Sequence, residues 1–107
     1  MRFKSTRNGL EASLDEALLA GLAADGGLFV PATLPDFSIN DFPDAADMHA
    51  VAKCYLEPFF ANSQLQPALD AIVAETFSFA LPLVDLSPFV GAPLSVLELF
   101  HGPTAAF

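Results

Sequence analysis

Side chains that could carry out chemistry are few in this sequence and lie far apart. The two histidines are His49 and His101, and the one cysteine is Cys54. Their spacing matches no zinc motif such as CxxC or HExxH, and the sequence has no glycine-rich phosphate loop. We therefore predict neither a metal site nor a phosphate-cradling loop.

The other reactive groups are better explained by structural roles. His49 is predicted to lie at or near the surface of a helix. Cys54 is predicted to be a small core residue, since only Lys53 stands beside it to favour a thiolate. The residues around Lys53 give no sign of the desolvation or neighbouring charge that a Schiff-base lysine requires. We therefore predict no catalytic residue in this chain.

Two glycine-containing segments lie where ligands are often bound. His101-Gly102-Pro103-Thr104 follows a predicted strand, and open α/β sheets place ligand sites after their strands. Asp25-Gly26-Gly27 follows a predicted helix. Turn-forming residues also stand at such positions for purely conformational reasons. Spacing alone favours a simple turn at both segments and leaves a functional role open.

The composition is that of one apolar, acidic domain. The chain has 107 residues, of which 53% are hydrophobic and 16% charged, and this balance excludes intrinsic disorder. So apolar a domain is expected to cover part of its surface with a partner. The net charge is −9, and no basic residue follows Lys53. Nucleic acid and anionic membrane surfaces are therefore not expected as partners.

The cellular location can also be predicted. A single cysteine allows no disulfide framework, so nothing indicates an oxidising compartment. The apolar run at residues 17–24 is far shorter than the ~20 residues needed to span a bilayer. Acidic residues precede and follow this run, which is unlike a signal sequence. We predict a cytoplasmic protein.

The hydrophobic pattern predicts an α+β fold with three main helices and a few short strands. Ser13 and Glu16 have the spacing of a capping box, so Asp15-Glu16 is interpreted as capping rather than as an acid–base pair. This first helix is expected to end near residues 25–27, with an apolar stripe at Leu14, Leu18 and Leu22.

Two further helices are predicted. Asp41 or Asp44 could cap the second, which Pro58 should kink or end. The third should begin near Pro67, a residue suited to a first helical turn. The residues expected to be buried are Met48, Val51, Ala52, Tyr55 and Phe59 in the second helix, and Leu69, Ile72, Val73 and Phe77 in the third.

Short strands are predicted at residues 2–6, 28–30 and 82–86. Residues 94–100 are the strongest strand candidate, because they are nearly apolar on both faces. This pattern favours a central strand that is covered on both sides.

Three blocks of the sequence resemble threonine synthase. Ser5-Thr6-Arg7 is similar to the start of that family, and residues 16–31 (EALLAGLAADGGLFVP) are similar to its N-terminal signature. Residues 97–107 (LELFHGPTAAF) resemble the segment that enters its cofactor site, with Ala105 in place of the expected leucine. Three blocks in the family's order are more specific than any one of them.

The resemblance implies that residues 1–100 form the N-terminal domain and that residues 101–107 begin the catalytic domain. In the family, a lysine that carries pyridoxal phosphate follows the residue matching Phe107. The intact enzyme converts O-phospho-L-homoserine and water to L-threonine and phosphate. The resemblance also implies that Arg7 could contact the anionic substrate, although an ion pair with a local acid is equally open. The residues implied to lie near the cofactor are His101, Gly102, Pro103 and Thr104.

Two hypotheses of different classes follow. In the first, the chain is a structural N-terminal domain that is inactive alone and binds no pyridoxal phosphate. Its partner is the downstream catalytic domain, and in isolation it is expected to associate with itself through its C-terminal strand or the surface beside it. In the second, it is a free-standing acidic interaction module derived from that domain. The apolar residues at 105–107 favour the first hypothesis, because a free module is expected to end in a polar tail or a helix cap.

Overall fold

The computed structural model describes residues 1–43 and 47–102. These fall into two compact units, Met1–Val73 and a second unit that begins at Ala74. The elements are β1 (Arg2–Ser5), β2 (Glu11–Ser13), α1 (Leu14–Ala20), β3 (Phe29–Pro31), α2 (Met48–Phe60), α3 (Leu69–Thr76), β4 (Leu83–Asp85), α4 (Ser87–Val90) and β5 (Ser95–Leu97). The α+β prediction with three main helices is confirmed, and the predicted boundary after residue 100 stays a prediction.

The first unit contains an antiparallel sheet in the order β2-β1-β3. Phe3 and Ser5 are buried while Arg2 and Lys4 are exposed, which is the two-residue alternation of a strand with one covered face. Phe3 lies opposite Ala12 on β2 and opposite Pro31 on β3. The strands predicted at residues 2–6 and 28–30 are thus confirmed within one residue at each end. The three-residue strand β2 was not predicted, because it is too short to show alternation.

Helix α1 begins as predicted and ends early. The amide of Glu16 donates to Ser13 Oγ at 3.2 Å, and the Glu16 carboxylate accepts from the Ser13 amide at 2.7 Å. The bond from the Ser13 amide, together with one that Ser13 Oγ donates at 2.9 Å, lowers the pKa of the Glu16 carboxyl below its ordinary value of 4.5. The predicted end near residues 25–27 is wrong, because Gly21 closes the helix at φ +69°. Of the predicted stripe only Leu14 is buried, whereas Leu18 and Leu22 lie beyond the covered face and are more than half exposed.

The core of the first unit lies between the sheet and the helices. It consists of Phe3, Ala12, Leu14 and Ala17, with Met1, Phe29, Phe59 and Phe60 packed against it. The first turn of α1 and the last turn of α2 therefore meet at one apolar cluster. Asp15 strengthens this corner, because its carboxylate accepts bonds from Ser63 Oγ at 2.7 Å and from the Gln64 amide at 3.2 Å. Asp15 is thus a tertiary anchor, a role that its position in the first turn of α1 did not reveal.

Helix α2 forms as predicted, but its cap and the burial of its apolar residues differ from the prediction. Its cap is Asp47, which accepts from the Ala50 amide at 2.7 Å. Asp41 instead completes the capping box of a separate 3-10 turn, whose N-cap is Ser38. Asp44 lies outside the described residues. Pro58 stands in the last turn, two residues before the helix ends. Of the residues predicted to be buried, only Ala52 is; Met48, Val51 and Phe59 are half-buried. Tyr55 is 48% exposed, and its ring lies 5.2 Å from that of Phe37 between centroids.

The start of α3 agrees with the sequence. Pro67 stands in a 3-10 turn, Gln66–Ala68, that leads directly into the helix. Leu69 and Val73 are buried as predicted, and Ile72 and Phe77 are half-buried. An ion pair of 2.6 Å joins Lys53 on α2 to Asp70 on α3.

The second unit contains a two-stranded antiparallel sheet, in which Leu83 lies opposite Leu97. The strand predicted at residues 82–86 is confirmed as β4. The strand predicted at residues 94–100 is present as the shorter β5. Its predicted central position is wrong in this structure, because β4 is its one neighbour within the described chain. A strand becomes central only when other segments cover both its edges. None of the helices described here is long and apolar enough to cross a membrane.

Candidate functional site

The segment after β5 holds the first predicted site residues. His101 Nε2 lies 2.5 Å from Glu98 Oε2, and the His101 ring centroid is 4.6 Å from that of Phe100. Glu98, which sequence reasoning missed, therefore orients the imidazole. Gly102 is also described, whereas Pro103 and Thr104 lie outside the described residues.

Gly102 is required by a close approach to an aromatic ring. A Cβ atom at this position would lie 2.5 Å from Cζ of Phe79 and 2.7 Å from both Cε atoms. Any larger residue would push the ring or the backbone aside. The Phe79 ring and the glycine thus fix the path of the chain directly after His101.

Arg7, the other predicted site residue, stands on a turn built by Asp25. Both Asp25 carboxylate oxygens lie 2.8 Å from Ser5 Oγ, and they also accept from the Gly27 amide at 2.8 Å and the Asn8 amide at 3.1 Å. This carboxylate ties residues 5–8, at the end of β1, to the loop at residues 25–27. The predicted turn at Asp25-Gly26-Gly27 is confirmed, although it follows a loop and not a helix end.

Asp25 is held in its charged form by these bonds. The Gly27 amide is the main cause of a pKa below the ordinary 3.8, and Ser5, Asn8 and the nearby Arg7 charge add to it. Gly27 is itself required, because a Cβ there would lie 2.2 Å from Ser5 Oγ and 3.1 Å from the Arg7 nitrogen. The turn is therefore rigid and leaves little freedom to the backbone that carries Arg7.

The acid dependence of stability follows from this carboxylate. A lowered pKa in the folded state means that Asp25 contributes its full stabilisation above pH 4, and that the contribution is lost as the pH falls through the folded-state pKa. We expect Asp25→Asn to flatten the fall in unfolding free energy between about pH 4 and pH 2. Urea denaturation across this range measures it, with Asp36→Asn at an exposed position as the control. Equal acid profiles for the two variants would contradict the expectation.

The Arg7 guanidinium is exposed and only partly engaged. Nη1 donates to the Asp25 carbonyl oxygen at 3.2 Å, and Nη1 lies 3.5 Å from where a Cβ of Gly26 would be. Within residues 1–43 and 47–102, Arg7 forms no ion pair with an acid inside 4.0 Å. The Arg7 side chain is exposed, and its charge acts on Asp25 without an ion pair inside 4.0 Å in the described chain.

The comparisons with known proteins agree on one family. Residues 2–77 match the family model described as the N terminus of threonine synthase. The chain is 40% identical to threonine synthase of Pseudomonas aeruginosa over all of this chain and 24% of that protein. It is 33% identical to the Escherichia coli enzyme, over 91% of this chain and 22% of that protein.

Two solved structures of threonine synthases also match this chain. Threonine synthase from Brucella melitensis with PLP bound matches at a TM-score of 0.75 and 34% identity, over 96% of this chain and 23% of that one. The Escherichia coli enzyme matches at a TM-score of 0.79 and 29% identity, over 97% of this chain and 24% of that one. The chain therefore belongs to the threonine synthase N-terminal domain family, and it spans about a quarter of the length of these relatives.

The residues present here do not fit pyridoxal phosphate. The two lysines are Lys4, exposed on β1, and Lys53. Lys53 Nζ lies 2.6 Å from Asp70, and this hydrogen bond and charge raise the lysine pKa above its ordinary 10.5. A lysine that forms an imine needs the opposite shift. In the part of the chain described, no group of three or more ligand side chains could hold a metal ion.

Proposed function

We propose that this chain is the N-terminal domain of an enzyme that converts O-phospho-L-homoserine and water to L-threonine and phosphate. The observation that carries the proposal is the family match over residues 2–77, together with coverage of about a quarter of each relative. In this proposal the remaining three quarters hold pyridoxal phosphate and the catalytic groups. The domain comprises residues 1–100, residues 101–107 lead into the catalytic domain, and the enzyme acts in the cytoplasm.

The role of the domain itself is structural. It packs on the catalytic domain and supplies one wall of the substrate cleft, where the Arg7 guanidinium meets the anionic substrate. The segment at residues 101–104 runs beside the cofactor, with His101 oriented by Glu98. The exposed Arg7 donors and the rigid turn beneath them support this assignment. The domain alone binds no cofactor and is inactive, and it associates with itself through its C-terminal strand or the surface beside it.

A titration with pyridoxal phosphate tests the inactivity of the isolated chain. We expect no saturable absorbance change that corresponds to one cofactor per chain, because Lys53 is paired with Asp70 and Lys4 is solvated. Lys53→Gln should leave the weak, non-saturating signal of surface amines almost unchanged. Stoichiometric, saturable binding that disappears in Lys53→Gln or Lys4→Gln would refute the expectation.

Complementation tests the enzyme assignment. The intact enzyme that carries this domain should restore growth of a threonine-requiring strain that lacks its own threonine synthase. The same enzyme without residues 1–100 should not restore growth. If the intact enzyme fails while its fold and cofactor content are normal, the assignment is wrong and the domain is an interaction module.

A further inference from the structure

The backbone register of the β4–β5 sheet shows which edge is open. The Leu86 amide donates to the Leu94 carbonyl at 2.9 Å, and the Glu98 amide donates to the Pro82 carbonyl at 3.0 Å. In an antiparallel pair, alternate residues direct their N–H and C=O groups toward the partner strand. Residues 94, 96 and 98 therefore face β4. Ser95 and Leu97 direct theirs outward, to an edge that no strand of the described chain occupies.

This edge has the features of a pairing surface. Two-stranded sheets are marginally stable alone, and soluble proteins protect open edges with charges or prolines. Strand β5 (Ser95–Leu97) carries neither, and the exposed fractions of Val96 and Leu97 are 41% and 51%. The side chains of Leu99 and Phe100, which follow the strand, are 71% and 76% exposed.

The opposite edge of the sheet is protected. It belongs to β4, whose outward-facing residues are Leu83 and Asp85. The Asp85 carboxylate accepts from the Ser87 amide at 2.8 Å, and its bonds to Ser87 hold its pKa below the ordinary 3.8. A fixed negative charge on an edge opposes the approach of another strand. Pairing is therefore expected on β5 and not on β4.

We infer that the outer edge of β5 accepts a strand from the part of the enzyme that follows residue 107, with hydrogen bonds to the backbone of Ser95 and Leu97. This inference rests on the proposed function. The chain spans about a quarter of its relatives, and in the proposed enzyme the other three quarters supply the strand that covers the edge. Strand addition satisfies the open N–H and C=O groups and buries the adjacent apolar side chains. It also fixes His101, four residues beyond Leu97, against that body.

Hydrogen exchange at single amides tests the register. In the isolated chain at low concentration, the Val96 amide should be protected by β4 while the Leu97 amide exchanges rapidly. In the intact enzyme the Leu97 amide should exchange at least about 100-fold more slowly, because it then donates to an added strand. Slow exchange of the β1 amides would show that the intact enzyme is folded. If the Leu97 amide still exchanges rapidly in that enzyme, the inference is overturned.

Proline and alanine substitutions at position 97 separate the contribution of the backbone amide from that of the side chain. Leu97→Pro removes the outward N–H and leaves the bonds to β4 intact, so it should expose residues 94–102 to proteolysis in the intact enzyme. Leu97→Ala keeps the amide and should retain its slow exchange. Equal protection of residues 94–102 in both variants, or exchange that slows only when the isolated chain dimerises, would overturn the inference. An intact enzyme that protects Leu97 but makes no threonine would refute the proposed function alone.

Discussion

Replacing Gly27 with alanine is expected to destabilise the first unit by about 3 kcal/mol, the upper end of the range for overpacking. The added Cβ would lie 2.2 Å from Ser5 Oγ, 3.0 Å from Asp25 Oδ1 and 3.1 Å from the Arg7 backbone nitrogen. Ser5 is the last residue of β1, Arg7 lies in the turn that follows it, and the third atom is the carboxylate oxygen that organises the turn. The turn must therefore open, and the bonds from Asp25 to Ser5 and Gly27 weaken together.

Gly9→Ala is the matched control for this prediction. Gly9 has a φ of +75°, and a Cβ there would meet no atom within 4 Å. Gly9→Ala should lower the unfolding free energy only by the cost of placing a non-glycine residue in the left-handed conformation, about 1 kcal/mol. Urea denaturation of both variants measures the difference in unfolding free energy. If Gly27→Ala is no worse than Gly9→Ala, the close packing of the turn against β1 is not as described.

Local patterns predicted the starts of elements well. The capping box at Ser13 and the buried positions Leu69 and Val73 were readable because each depends on residues within one or two helical turns. The end of α1 was not readable, since both Gly21 and the glycines at 26–27 can close a helix. The early end is set by tertiary pairing: the Ala23 amide donates to the Gly27 carbonyl, which turns the chain back so that β3 can pair with β1.

The candidate site depended on contacts that no short pattern contains. Asp25 meets Ser5 across twenty positions of sequence, and although both residues stand in segments noted from the sequence, nothing in those segments paired them. Gly102 was noted as part of a turn, but the ring of Phe79 that requires it was not. The central position predicted for residues 94–100 was wrong for a related reason. Apolar side chains on both faces indicate burial, but they do not show which segment provides it.

The second large effect is expected from Arg7 in the intact enzyme. A guanidinium that donates charged hydrogen bonds to a phosphate ester contributes about 1.5–3 kcal/mol, so Arg7→Gln should lower kcat/KM by about 10- to 100-fold. Inhibition by inorganic phosphate should weaken in parallel, because the same donors would bind that anion. Arg7→Lys should recover only part of the loss, since an ammonium group lacks the planar pair of donors.

Arg2→Gln is the control that distinguishes substrate binding by Arg7 from a general effect of surface charge or of stability. Arg2 is also an exposed arginine near the start of the chain, but it is paired with Glu11 at 3.2 Å, and such exposed pairs contribute little. Within the described residues the Arg7 side chain makes one hydrogen bond, to the Asp25 carbonyl, so neither variant should lower the melting temperature appreciably. The Arg7 prediction requires a loss in kcat/KM without a loss in stability. Equal kinetics for Arg2→Gln and Arg7→Gln would mean that Arg7 does not reach the substrate. A loss of activity that accompanies unfolding would instead assign Arg7 to the support of the turn.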